Sequence, residues 1–136
     1  CYAKAQTPEE AEQEARFLVN TAKKYNPNFY VYDVELSYLN DEICARFTDT
    51  LRALGVKKTG YYIAHHLYSR YKLNTKKVDF VWITHYGKND GTRNSKPSYA
   101  CDMHQYTSKG RVNGVSGNVD MNQLTGSKSL SFFTTK

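Results

Sequence analysis

The chain has 136 residues, 40% of them hydrophobic and 24% charged, with a formal net charge of +6. Those proportions suit one globular domain over residues 1–136, and no run of about 18 apolar residues is present to span a membrane. Cys1, Cys44 and Cys101 lie far apart without a CxxC spacing, which speaks against a disulfide framework and against a zinc site.

The positive balance points to an anionic partner, either nucleic acid or a surface rich in acidic polymers. The cations are scattered, with only short pairs at Lys23-Lys24, Lys57-Lys58 and Lys76-Lys77, and no nucleic-acid motif accompanies them, so no nucleic-acid partner is expected. Twelve tyrosines suit a groove for sugars or peptides, and equally an ordinary sheet core. Free thiols fit synthesis in a reducing compartment. No signal-peptide pattern is present, and nothing basic or membrane-directed follows Cys1 to support a lipid-modified end.

In chain order, "TPEEAEQEARFLVNTAKKYNPN" predicts a helix opened by a capping box, with Thr7 at N-cap, Pro8 at N1 and Glu10 at N3. Ala11, Ala15, Leu18, Val19 and Ala22 share one face, and Asn26-Pro27 stops the run. Residues 29–36 read as a strand. In "LNDEICARFTDTLRALGVKK" Asn40 caps a second helix, Ile43, Phe47, Leu51 and Leu54 form its stripe, and Gly55 ends it. "TGYYIAHH" reads as a strand, "LYSRYKLN" as a short helix, and "VDFVWITHYG" as a strand buried on both faces. Such alternation argues for parallel β-α units, hence an α/β fold. Beyond residue 87 the texture becomes a polar loop, then short strands in "YACDMHQYTSKG", "RVNGVSG" and "NVDMNQL" joined by glycine turns. "SKSLSFF" closes with a helical turn.

Chemistry concentrates at the end of the first strand. Alternation sends Asp33 and Glu35 to the same side, with Cα atoms about 6.6 Å apart. Two acids this close in a partly dry site cannot both ionise easily, so one pKa rises and the pair titrates as a unit. A proton held near neutral pH serves to protonate a leaving alcohol. Two acids at a strand end also fit carboxylates simply emerging into solvent. The C-terminal ends of parallel strands favour the first reading, because active sites form there. Trp82, His85 and Tyr86 in "DFVWITHYG" and Asp120 in "SGNVDMN" supply an aromatic wall and a third acid, a combination suited to carbohydrate cleavage.

Other constellations are weaker. His65-His66 at a strand end point to opposite faces and do not easily share a metal ion, so one groove residue and one packing or solvated residue are expected. Cys44 reads as a helix-packing or surface thiol and Cys101 as core. "GKNDGTRNSKP" lacks the phosphate-loop spacing.

Taken together, "YDVE", "DFVWITHYG" and "QYTSKGRVNGVSGNVDMN" resemble glycoside hydrolase family 25, the lysozymes (N-acetylmuramidases) common among phage endolysins, over essentially the whole chain. The resemblance implies an irregular (β/α)8-type barrel, of which this chain supplies about strands 4–8. The implied activity is hydrolysis of the β-1,4 bond between N-acetylmuramic acid and N-acetylglucosamine in peptidoglycan, without metal or cofactor. It places Glu35 as proton donor, Asp33 as its neighbouring acid and Asp120 as the late aspartate. Tyr62, Trp82, Tyr86, His104 and Gln105 then line the groove.

Two departures stand out. His104 stands where the family usually has Trp, and no early aspartate motif precedes the region that "CYAKAQTPEEA" resembles. The chain is thus expected to lack the N-terminal strands and to pair with that segment or with a second copy. The implied place of action is the bacterial wall, reached by lysis-type release or by secretion. The alternative is a non-catalytic wall-binding or assembly fragment.

Overall fold

The computed structural model describes residues 1–136. Helix α1 (Pro8–Ala22) leads into β1 (Tyr30–Val34), α2 (Asp41–Ala53), β2 (Thr59–Ala64), the short α3 (Tyr68–Tyr71) and β3 (Phe80–Thr84). β4 (Met103–Gly110), β5 (Val119–Leu124) and α4 (Leu130–Thr134) complete the order. The five strands form one sheet in sequence order. β1 to β4 run parallel, and β5 returns antiparallel to β4. Residues 1–3 lie along the outer side of β1. There Cys1 O accepts from Asp33 N at 2.8 Å, and Ala3 N donates to Asp33 O at 3.0 Å.

Local signals set the helix ends. Thr7 Oγ1 accepts from Glu10 N at 3.2 Å, but the Glu10 carboxylate turns to Gln6 N rather than back to Thr7. Asn40 Oδ1 accepts from Ile43 N at 3.0 Å and opens α2. Gly55, at φ 89°, takes the left-handed turn that ends it.

The strands alternate between two faces. Tyr32 and Val34, Tyr61 and Ile63, and Val81 and Ile83 all point to the face covered by α1 and α2. Ala11, Ala15, Ile43, Phe47 and Leu51 meet them there, and Tyr32 stacks on Phe47 with ring centroids 3.7 Å apart. The opposite face carries a row of Asp33, Tyr62 and Trp82 in direct register. Below that row, Phe29, Phe80, Phe132 and Phe133 pack edge to face and close the N-terminal end of the sheet.

Gly60 is required in that plug, because a Cβ there meets the Phe80 ring, which is itself buried. Gly60→Ala is expected to cost about 1–3 kcal/mol of stability through overpacking, read as a lowered thermal midpoint.

Several expectations need correction. β1 ends at Val34, so Glu35 lies one residue beyond the strand rather than within it. Leu54 is 38% exposed, since α2 stops at Ala53 and the stripe turns outward there. "RVNGVSG" forms turns around Gly114 and Gly117, both at positive φ, and not a strand. His65 and His66 lie in a single turn of 3-10 helix after β2, so strand alternation does not apply to them.

Candidate active site

The parallel strands end together, and their C-terminal ends form a groove on the open face. One cavity, of about 360 Å³, is lined by Asp33, Glu35, Tyr62, Trp82, Gln105 and Asp120, together with Val31 and Cys1. Asp33 and Tyr62 occupy partnered positions on β1 and β2, and Trp82 continues the row on β3. Asp120 comes from β5, two residues before Asn122, so both share one face of that strand. The three acids singled out in the sequence thus meet at one cavity with the tryptophan.

A second cavity, of about 380 Å³, shares Glu35 and Tyr62 with the first and adds His65, His66, His85 and Tyr86. Glu35 therefore stands on the partition between the two spaces. Both adjacent histidines face this cavity, against the expectation that only one of them would. His65 stacks on His85 with centroids 4.0 Å apart, and its Nε2 accepts from Ser98 N at 3.1 Å. The largest cavity, about 500 Å³, lies elsewhere, beside Arg93, Lys96 and Tyr99, and no carboxylate lines it. Volume is thus a poor guide here, and the titratable groups mark the groove instead.

Hydrogen bonds hold the aromatic wall in place. Gln105 Oε1 accepts from Tyr62 OH at 2.7 Å and from Tyr86 OH at 2.6 Å, tying β2, β4 and the end of β3 together. Trp82 Nε1 donates to Asn122 Oδ1 at 2.8 Å, and its ring meets Tyr62 edge-on at 4.9 Å. Asn122 did not stand out in the sequence. Its only signal was its place two residues after Asp120 in a strand pattern.

Asp33 is the electrostatic centre. Its Oδ1 is buried without a hydrogen-bond partner. Burial pushes its carboxyl up to about 7, and the neighbouring Glu35 carboxyl adds to that rise. Burial likewise holds the Tyr62 hydroxyl protonated, well above the usual tyrosine range. Cys44 is buried in α2 and its thiol is pushed up to about 12 by that burial, which makes it a packing group and not a nucleophile. Among the chain's His, Cys, Asp and Glu residues, no group of three or more is placed to hold a metal ion.

His104 does not join the groove. Its register partner is Ile83, in a row with Ile63 and Val34, so it points to the helix-covered face and is fully buried. Gln105, the next residue, takes the groove side. One of two successive strand residues has to face away.

Carboxylates at the C-terminal ends of parallel strands, with an aromatic wall and one acid held protonated near neutrality, are the arrangement of an α/β glycoside hydrolase. The model for glycosyl hydrolases family 25 matches residues 1–115, and the chain belongs to that family. It is similar to GHIP, a glycosyl hydrolase 25 and virulence factor of Streptococcus pneumoniae participating in host cell invasion, at 30% identity and a TM-score of 0.90. That match covers 99% of this chain and 63% of the other. The catalytic domain of endolysin ply40, from bacteriophage P40 of Listeria monocytogenes, is also 30% identical, with a TM-score of 0.83 over 98% of this chain and 67% of that one. The CTP1L endolysin, again 30% identical, matches at a TM-score of 0.68 over 91% of this chain and 45% of its own. A comparison with curated proteins finds no match.

Proposed function

We propose that this chain carries the groove of a peptidoglycan hydrolase that cleaves the β-1,4 bond between N-acetylmuramic acid and N-acetylglucosamine. The observation that carries the reading is the meeting of Asp33, Glu35, Asp120 and Trp82 at one cavity. Family membership supports glycoside hydrolysis, and the two endolysins among the structural relatives support the bacterial wall as the place of action.

In this reading the Asp33–Glu35 pair holds one proton near neutral pH. In the free groove the proton rests on half-buried Asp33, while Glu35, exposed and facing both cavities, is the member able to reach a glycosidic oxygen. A glycan strand lying across the partition excludes water from the pair, and the shared proton passes through Glu35, the member that reaches it, to the leaving glycosidic oxygen. Asp33, once ionised, and Asp120 then face the positive charge that develops at the sugar ring. Trp82 and Tyr62 offer apolar faces for the sugars, and Gln105 fixes Tyr62.

The sheet corresponds, in this proposal, to the family barrel from about its fourth strand onward. β1 is met on its outer side only by residues 1–3, and β5 forms the other end of the sheet. Those edges are the places for a further barrel segment or a second copy to pair. Light scattering checks the second copy, which is excluded by a monomer at all concentrations.

The deciding experiment incubates the chain with purified Gram-positive walls and identifies the new reducing ends. Reducing N-acetylmuramic acid is expected. Wall binding without new reducing ends overturns the catalytic reading in favour of a binding module, and reducing N-acetylglucosamine overturns the bond assignment.

A further inference from the structure

His104 is a polar ring in a row otherwise made of Val34, Ile63 and Ile83, and it is 0% exposed. Both of its ring nitrogens are engaged. Nδ1 accepts from Arg93 Nε at 3.2 Å, and since a guanidinium only donates, this nitrogen carries no proton. The proton therefore sits on Nε2, which donates to the carbonyl of His85 at 2.6 Å. Ser95 Oγ donates to the same carbonyl at 2.9 Å. The ring thus joins β4 to two points of the segment that follows β3. That segment carries His85 and Tyr86 to the wall of the cavity beside Glu35.

We propose that His104 is a positioning residue: its neutral ring latches residues 85–93 to β4, holding His85 and Tyr86 at the groove, and its protonation opens the latch. A second ring proton has to sit on Nδ1, where it meets the Arg93 N–H donor to donor and cation to cation. The charged and titratable groups facing the ring offer that cation no relief. They are Arg93 from the loop, His85 at the end of β3, His65 behind it from the turn after β2, and Tyr106 on its own strand with centroids 6.2 Å away. None is a carboxylate. Burial holds the ring below the ordinary histidine value of 6.5; the hydrogen bond to the His85 carbonyl offsets this in part, and Arg93 and His85 reinforce it. The latch is accordingly closed at neutral pH and opens in mild acid.

Only the activity readout of this proposal rests on the hydrolase reading. The first test is independent of it: imidazole 1H–15N spectra of the full chain from pH 4 to 8, with amide exchange over residues 85–93 measured relative to the intrinsic rate at each pH. One of the four histidine rings, absent in His104→Gln, is expected in the Nε2–H tautomer with a midpoint below the other three. Protection at His85 N, which donates to Gln105 O, and at Gly91 N, which donates to Thr107 Oγ1, is expected to fall about tenfold below that midpoint in the wild type. In His104→Gln the amide replaces both bonds without titrating, so the loss disappears.

Exposed Arg93 supplies a second variant that leaves the core untouched. Arg93→Gln removes the facing cation and is expected to raise the His104 midpoint. An Nδ1–H tautomer, an ordinary midpoint, or protection that falls equally with pH in His104→Gln overturns the latch. Where walls are cleaved, an acid-side loss of cleavage in the wild type that is absent in His104→Gln supports the latch, and identical acid limbs overturn it. Absence of cleavage by the wild type strikes the hydrolase reading alone.

Discussion

Glu35→Gln is expected to lower reducing-end release from purified walls by about 10²–10⁴-fold at neutral pH, the usual worth of a positioned general acid. The amide keeps the shape of the side chain and has no acidic proton to give. Because Glu35 is exposed and lies beyond the end of β1, the substitution breaks no core contact, and the thermal midpoint is expected to stay within about 2 °C of the wild type. The same variant reports on the pair itself. Removing the Glu35 charge leaves burial as the cause that raises Asp33, so the Asp33 midpoint falls from about 7 and stays above the ordinary 3.8. Carbonyl-carbon titration by NMR follows that midpoint directly. Wall cleavage retained within a factor of a few removes Glu35 from the role of acid, whatever the titration shows.

The parts of the fold set by local chemistry were legible in the sequence. Thr7 and Asn40 capped the helices as expected, because a single side-chain bond to a free N–H needs no tertiary partner. The parallel strands were legible from the apolar density of "FVWIT", where Val81 and Ile83 are buried under the helices and Phe80 in the plug; the reading of a strand buried on both faces went too far at Trp82, which lines the groove. Two misreadings have separate physical causes. The family pattern put both His104 and Gln105 in the groove, although strand alternation allows only one of them there, and the register with Ile83 and Thr84 decides which. The valines and glycines of "RVNGVSG" suggested a strand, but Val112 and Val115 are 45% and 50% exposed, with no sheet face to bury them. Other features depend on residues distant in sequence. The plug of Phe29, Phe80, Phe132 and Phe133 joins residues some hundred positions apart. No periodicity announces the bond from Trp82 to Asn122 either. The acids stood out because their chemistry is recognisable by type, and Gln105, which holds Tyr62 and Tyr86, through the family pattern; Asn122, which holds Trp82, did not, because an Asn can serve almost anywhere.

Asp33→Asn is expected to separate stability from activity, with a sign that depends on pH. The Asp33 carboxyl titrates at about 7 in the folded chain against 3.8 ordinarily, so between those values the folded state binds a proton that the unfolded state has lost. The group's contribution to stability is therefore greatest below about 4, declines as pH rises, and is fully lost above 7, where a charge sits at a buried oxygen without a partner. Asparagine has no proton to lose and carries no such slope. Since Asp33 is only half-buried, water screens part of the penalty. The variant should match the wild type at pH 4 and exceed its stability by about 1–2 kcal/mol at pH 8. Wall cleavage should fall about 10²-fold in the same variant, since the negative charge facing the sugar ring is gone. Paired thermal melts at pH 4 and pH 8 check the first half, and a difference that does not grow with pH sinks it. A stabilised variant that cleaves poorly identifies the raised carboxyl as a group held at a cost to the fold for the sake of the groove. A stabilised variant that cleaves normally leaves the cost without a catalytic purpose and moves the acid role wholly onto Glu35 and Asp120.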